Sequence, residues 1–306
     1  MTVKSGESVG TVEVTPSGIP VYYQSKPKRL YKIRPNLISD GSDPEGLLAS
    51  VRGEYGAGEE WIEVPSVTTV LGVLDKPALV WWGQEKGIEG LIALYREHGI
   101  PWGELQEVAD VVGLLTKYKL TVNHVRDKAG DRGQAVHDAL ESWARHGHMP
   151  DPKIYPEEQE GYVRGLVAFL KDLPTAEPVA AEVLVASPEH GYAGRYDLRV
   201  QTSKPHDVVV RQTATRKRTR ELLPGTLLVD LKTSKGVYPS HARQLEAYEQ
   251  ASIESGYGPT DGRGILLVGA DGTYEFVRSW ATFEDFRVVL DVWRSDQRMA
   301  EQKKSA

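Results

Sequence analysis

The chain has 306 residues, 40% hydrophobic and 26% charged, the composition of an ordinary globular protein. It has no cysteine, which excludes disulfides, thiolate zinc sites, iron–sulfur clusters and cysteine nucleophiles. Its net charge of −6 argues against a generally basic surface but leaves nucleic-acid binding open, because such binding depends on local patches. No apolar run could span a bilayer and the first residues lack a signal core, so we expect a cytoplasmic protein without a membrane partner.

The first half of the chain predicts short strands followed by helices. Residues 1–63 are rich in Gly and Pro and contain β-like pieces such as "GTVEV" and "IPVYYQ", which predict an N-terminal β-like extension. The pattern turns helical after Ser66, is interrupted at Pro101-Trp102, and is helical again from about Leu105 to about His146. Residues 64–150 are therefore predicted to be a helical lead-in.

Residues 151–306 are predicted to form an α/β core. The segment "EEQEGYVRGLVAFLKDL" has the periodicity of an amphipathic helix. Three predicted strands follow, in "AAEVLVAS", "AGRYDLRVQT" and "GTLLVDLKTS", and then a helix in "SHARQLEAYEQASIES". A hairpin in "GRGILLVGADGTYEFVRSW" and a closing helix complete the order. This order predicts a mixed β-sheet flanked by helices.

The stretch "LLVDLKTSKG" places two opposite charges at the end of an apolar strand. Side chains alternate along a strand, so Asp230 and Lys232 should point to the same side. Burying both is costly without a partner or a task. The pair could be a surface ion pair, or it could belong to a reactive site.

Further acidic and imidazole groups precede this strand. His137 and Glu141 lie four residues apart on one face of a predicted helix. Glu182 interrupts an apolar strand, and Asp197 lies in the next strand beside small residues. Carboxylates with one imidazole form a hard ligand set, which Mg²⁺ or Mn²⁺ prefers. Such ions assist phosphodiester cleavage, and a nearby lysine can orient or deprotonate the attacking water.

Four motifs in this order resemble the PD-(D/E)XK nuclease superfamily, and within it the RecB-like exonucleases of the phage type, over residues 64–293. They are "RGQAVHDALE", "GYAGRYDLRV", "LLVDLKTSKG" and "RQLEAYEQA". The resemblance implies a restriction-endonuclease-like core, with a catalytic lysine at Lys232 and a supporting or water-mediated metal role for Glu182. It implies metal ligation by His137, Asp197, Asp230 and the carbonyl of Leu231, and DNA contacts by Arg132, Gln244 and Tyr248.

The resemblance further implies a metal-dependent DNA exonuclease with two Mg²⁺ or Mn²⁺ ions and no iron–sulfur cluster. Its partner would be single- or double-stranded DNA with free ends, in phage recombination, replication or repair. Two alternatives use the same residues: a structure-specific endonuclease and a DNA-end-binding protein that does not cleave. A zinc hydrolase built on His137 and Glu141 is a third, although the His-Glu-x-x-His pattern is absent.

A basic segment, "VVVRQTATRKRTRELL", separates the second and third predicted core strands. It could be a solvated hairpin with a charged tip, or it could contact DNA phosphates near the site. We predict DNA contacts for its four clustered cations, Arg216, Lys217, Arg218 and Arg220.

Overall fold

The structure is a computed structural model that describes residues 2–5, 8–25, 29–34, 61–104, 107–174, 176–212 and 217–305. Its contacts divide the chain into two units, residues 1–73 with 137–306, and residues 74–136. These limits differ from the boundaries after residues 63 and 150 that the sequence suggests. The N-terminal strands belong to the larger unit because they share a hydrophobic core with strands from the second half of the chain.

The N-terminal strands form an antiparallel sheet in chain order. Among the described residues its strands are β1 Thr2–Ser5, β2 Ser8–Val14, β3 Pro20–Gln24, β4 Leu30–Ile33 and β5 Ile62–Val64. Side chains along β4 alternate between half-buried and buried, as expected for a sheet with one covered face. The shared core is one cluster that contains Val21, Tyr31, Ile33, Val64, Leu184, Ala186 and Ala193.

The main sheet is mixed and runs in the order β6-β7-β10-β11-β12-β8-β9. Its strands are β6 Glu177–Ser187, β7 Tyr192–Thr202, β8 Val210–Gln212, β9 Lys217–Thr219, β10 Gly225–Lys232, β11 Gly262–Val268 and β12 Tyr274–Arg278. The pairs β10–β11 and β12–β8 are parallel and the other neighbours are antiparallel.

The α-helices are α1 Val67–Val70, α2 Pro77–Arg96, α3 Val108–Lys117, α4 Val122–His146, α5 Glu157–Asp172, α6 Pro239–Glu254 and α7 Phe283–Ser305. Helix α6 crosses from β10 to the parallel strand β11 and packs against β6, β7, β10 and β11, whereas α5 packs against β11 and β12. The predicted mixed sheet flanked by helices is therefore confirmed. Within the described ranges, none of the helices combines the length and apolarity needed to cross a membrane.

Candidate metal centre

The strand register brings Glu182, Asp197 and Asp230 to one place in the main sheet. Ala181 pairs with Leu198 and Val183 with Tyr196, so Glu182 on β6 stands opposite Asp197 on β7. Val229 on β10 also pairs with Leu198, which sets Asp230 beside Asp197 on the other side. The backbone N–H of Leu231 donates to Asp197 Oδ2 at 2.6 Å, which fixes this carboxylate against the end of β10.

His137 approaches this group from helix α4. Leu140 and Trp143 on this helix are buried, and their spacing of three residues places them on one face. His137 Nδ1 lies 3.3 Å from Asp197 Oδ1 and 3.5 Å from Glu182 Oε1. Each of His137, Glu182 and Asp197 offers one ligand atom, and these atoms all lie within 4.8 Å of one another.

Asp230 and Lys232 point the same way, as strand alternation predicts. Lys232 Nζ lies 2.5 Å from Asp230 Oδ2, so the two side chains form a close ion pair. Asp230 is only 1% exposed, and the Lys232 ammonium contacts one of its oxygens. Burying a carboxylate is costly, and the raised pKa of Asp230 indicates that Lys232 offsets this cost only in part.

The charges of this centre are strongly coupled. Burial lowers the pKa of His137, but the negative charge and hydrogen bond of Asp197 outweigh that effect and raise it to about 10. Burial by itself raises the pKa of Asp197, but the charge and hydrogen bond of His137 help to outweigh this effect, and the net shift is downward. Burial raises the pKa of Asp230 to about 6, against the opposing effect of Lys232. Burial lowers the pKa of Lys232, but Asp230 and Asp197 raise it above its usual value. In the metal-free protein, two cations therefore offset the acidic groups.

Glu182 has an unusual backbone conformation for a strand residue. Its φ is +52°, in the left-handed region that side chains other than glycine rarely adopt. Such a conformation costs about 1–2 kcal/mol, and strain of this kind concentrates at functional sites. The strained residue lies between His137 and Arg195, whose Nε is 2.7 Å from Glu182 Oε2.

Arg195 was not among the residues predicted from the sequence. The signal was present, because Arg195 lies two positions before Asp197 and strand alternation places both on the same side. Its partner Tyr23, more than 150 residues away in the N-terminal sheet, could not be identified from local patterns.

Gln244 and Tyr248 make the contacts of a packed helix face. Tyr248 is 5% exposed, and its hydroxyl accepts a hydrogen bond from Gln244 Nε2 at 2.9 Å. The ring lies across Gly194 on β7, where an added Cβ would be 2.5 Å from Tyr248 Cε1. Glycine is thus required for the close approach of α6 to β7. The DNA contacts expected for Gln244 and Tyr248 stay predictions.

Two other residues predicted from the sequence, Glu141 and Arg132, lie outside the group of possible metal ligands. Glu141 pairs with Arg145 at 2.6 Å, one turn further along α4. It does not belong to the group of possible ligands that contains His137, and the zinc-hydrolase alternative stays a prediction. Arg132 is half-buried in the unit formed by residues 74–136, and its contact with DNA stays a prediction.

The basic segment leaves β7 at Thr202, at the end of the strand away from Asp230. Thr202 pairs with Gly225, the first residue of β10, so the segment also returns at that end. Strand β8 then joins the sheet beyond β12, about 15 Å from β10 at three strand spacings. Both ends of the segment thus emerge from the strands that carry Asp197 and Asp230, while its inner strands β8 and β9 pair at the β12 edge of the sheet.

The cations of this segment differ in how far the structure describes them. Arg220 is exposed and pairs with Asp207 at 2.9 Å. Arg216 lies outside the described residues, as do the side chains of Lys217 and Arg218. Their predicted contacts with DNA phosphates stay predictions.

A second group of possible ligands, Glu189, His190 and Glu254, lies where the β6–β7 turn meets the end of α6. Glu254 is already engaged there, because it accepts hydrogen bonds from the Ser187 hydroxyl at 2.7 Å and from the Glu189 N–H at 3.1 Å. All three residues are exposed or only partly buried, so this group lacks a buried carboxylate like Asp197 or Asp230.

No family model matches this chain, and no curated protein matches it either. The function must therefore be argued from the geometry and chemistry of the candidate metal centre.

Proposed function

We propose that this protein is a Mg²⁺- or Mn²⁺-dependent DNA exonuclease of the RecB-like group of PD-(D/E)XK nucleases. The observation that carries the proposal is the convergence of Asp197 on β7 with Asp230 and Lys232 on β10, beside His137 and Glu182. These residues come from four segments of the chain, and each matches a position of the family's motifs. The restriction-endonuclease-like assignment of the core is part of this proposal.

The residues present fit a hard divalent cation. His137, Glu182 and Asp197 supply an imidazole and two carboxylates whose ligand atoms lie within 4.8 Å of one another. Asp230 adds a buried carboxylate that is paired with Lys232. Oxygen-rich sets of this kind suit Mg²⁺ and Mn²⁺. The mutual repulsion of these three carboxylates favours the binding of a cation at this centre.

Within this proposal the protein groups have separate tasks. A bound divalent ion would polarise the phosphate and lower the pKa of a water molecule. His137, Asp197, Asp230 and the Leu231 carbonyl would hold it, with Glu182 as a direct or supporting ligand. Lys232 Nζ carries a proton and lies 2.5 Å from Asp230 Oδ2, so it can donate a hydrogen bond to the attacking water. Its positive charge also offsets charge that develops on the phosphate.

The proposal is tested with end-labelled linear DNA and closed circular DNA, each incubated with Mg²⁺, Mn²⁺ or chelator. We expect metal-dependent degradation of the linear substrate only. Cleavage of the circle would indicate the endonuclease alternative on the same site. Binding of DNA ends without cleavage under every metal condition would refute the enzyme and favour the non-cleaving alternative.

Matched variants assign any activity to this centre. Asp197→Asn and Asp230→Asn should each abolish cleavage, because each removes a negatively charged ligand. Asp296→Asn is the control, since Asp296 is exposed on α7 and outside the centre. Activity that survives in both site variants at saturating Mg²⁺ would show that a contaminant or another site does the cutting.

A further inference from the structure

The two oxygens of the Glu182 carboxylate have different surroundings. Oε2 lies 2.7 Å from Arg195 Nε, within ion-pair distance. Oε1 points the other way and lies 3.5 Å from His137 Nδ1, inside the candidate metal centre. An oxygen held by a guanidinium leaves the carboxylate little freedom to rotate, so the second oxygen stays directed at the centre.

Arg195 is itself held from the opposite side by the N-terminal sheet. Its guanidinium carbon lies 5.3 Å from the centre of the Tyr23 ring, a cation–π distance. Tyr23 on β3 pairs across the strands with Tyr31 on β4, and their ring centres are 4.9 Å apart. Tyr31 is 4% exposed and belongs to the core cluster shared with β6 and β7. The arginine is therefore fixed between a supported aromatic ring and a carboxylate.

We infer that Arg195, supported by Tyr23, is a positioning residue that directs Glu182 into the metal centre, so that the N-terminal sheet contributes to metal binding. The inference rests on the proposed function, because it concerns a ligand of the same centre. The strained backbone of Glu182 agrees with the inference, because a strained backbone conformation persists only where the surrounding structure holds it.

A competing role for Arg195 is direct contact with a DNA phosphate. The two roles predict different effects on metal affinity in the absence of DNA. A positioning residue changes metal affinity in the free protein, because groups that orient a ligand affect that ligand directly. A phosphate contact leaves metal affinity unchanged and weakens only the binding of DNA.

The test is Mn²⁺ affinity by isothermal titration calorimetry, without DNA, for the full chain. Arg195→Gln should weaken Mn²⁺ binding about 10–100-fold, the range found when partners of metal ligands are removed. Arg195→Lys should restore part of the loss, because it returns the charge without the planar fork. Arg287→Gln is the matched control, since Arg287 pairs with Glu284 on the exposed side of α7 and should bind Mn²⁺ as the wild type does.

Variants of Tyr23 test the contact between its ring and Arg195, and they do so without removing a charge. Tyr23→Leu should weaken Mn²⁺ binding a few-fold through loss of the cation–π contact, whereas Tyr23→Phe keeps the ring and should match the wild type. If Arg195→Gln does not fold, as judged by circular dichroism, this pair decides the question alone.

The outcomes separate this inference from the proposed function. Wild-type Mn²⁺ affinity in a folded Arg195→Gln, or equal affinities for Tyr23→Leu and Tyr23→Phe, would overturn the positioning role while leaving the nuclease proposal intact. Absence of Mn²⁺ binding in the wild type would refute the proposed function, and the inference would fall with it.

Discussion

Replacing Asp230 with Asn should stabilise the metal-free protein while it abolishes cleavage. Burial raises the pKa of Asp230 from 3.8 to about 6, although Lys232 opposes the shift. A carboxyl with this shift costs the folded state about 3 kcal/mol when it is ionised. The cost is absent below pH 3.8, where the group is protonated in both states, grows as the pH rises to about 6, and is complete above that.

Asparagine resembles the neutral carboxyl in size and removes the ionised form. At pH 7.5 in chelator we therefore expect the Asp230→Asn protein to be about 2–3 kcal/mol more stable than the wild type. In a protein of this size the change corresponds to a rise in melting temperature of about 3–5 °C. The difference should shrink toward zero as the pH falls to 4.

The assay is thermal unfolding followed by circular dichroism between pH 4 and pH 8, with chelator throughout. Asp296→Asn serves as the control, because an exposed substitution should change stability by no more than about 0.5 kcal/mol. A melting temperature for Asp230→Asn at or below that of the wild type at pH 7.5 would refute the reasoning. It would show that the contact with Lys232 outweighs the burial of the charge.

Three further predictions concern the same site and the basic segment. Lys232→Ala should lose cleavage but keep Mn²⁺ binding within a few-fold, because the lysine is not a ligand; calorimetry that shows lost binding would contradict this. His137→Ala should be impaired more in Mg²⁺ than in Mn²⁺, because Mn²⁺ tolerates irregular coordination and should compensate for the lost ligand, although imidazole suits Mn²⁺ better; equal losses in both metals would leave the ligand role unsupported. The third change is the joint neutralisation of the clustered cations of the basic segment, Arg216, Lys217, Arg218 and Arg220. It should flatten the salt dependence of DNA binding more than it changes cleavage at saturating DNA. An unchanged slope of log affinity against log salt would identify a solvated hairpin.

The parts of the candidate site that follow from local pattern were predictable. Strand alternation put Asp230 and Lys232 on the same side, and the structure places their charged atoms 2.5 Å apart. Helical spacing put His137 and Glu141 on one face of α4, but of these two only His137 belongs to the group with Glu182 and Asp197. The order of the longer elements of residues 151–306 was predictable for the same reason, since these elements are strongly periodic, whereas β8 and β9 have only three residues each.

The parts that depend on distant segments were not predictable. The left-handed conformation of Glu182 has no local signal in the sequence, and its side-chain partners Arg195 and His137 come from other segments of the chain. The parallel pairing of β8 with β12 joins residues about 65 apart in sequence. A strand of three residues has too short a pattern to predict such a pairing. The packing of Tyr23 against Arg195 is similarly long-range, so a boundary drawn from composition separated two parts of one core.

The close approach of Tyr248 to Gly194 restricts how these two positions can change during evolution. A methyl group at Gly194 would lie 2.5 Å from the Tyr248 ring, so alanine there forces either the ring or the strand to move. A smaller residue at position 248 would remove the obstacle and leave room for a side chain at 194. The two positions should therefore covary in related sequences, with a bulky residue at one accompanied by glycine at the other. Pairing Gly194→Ala with Tyr248→Leu should recover stability that Gly194→Ala loses alone, and a double variant with purely additive losses would contradict this steric coupling.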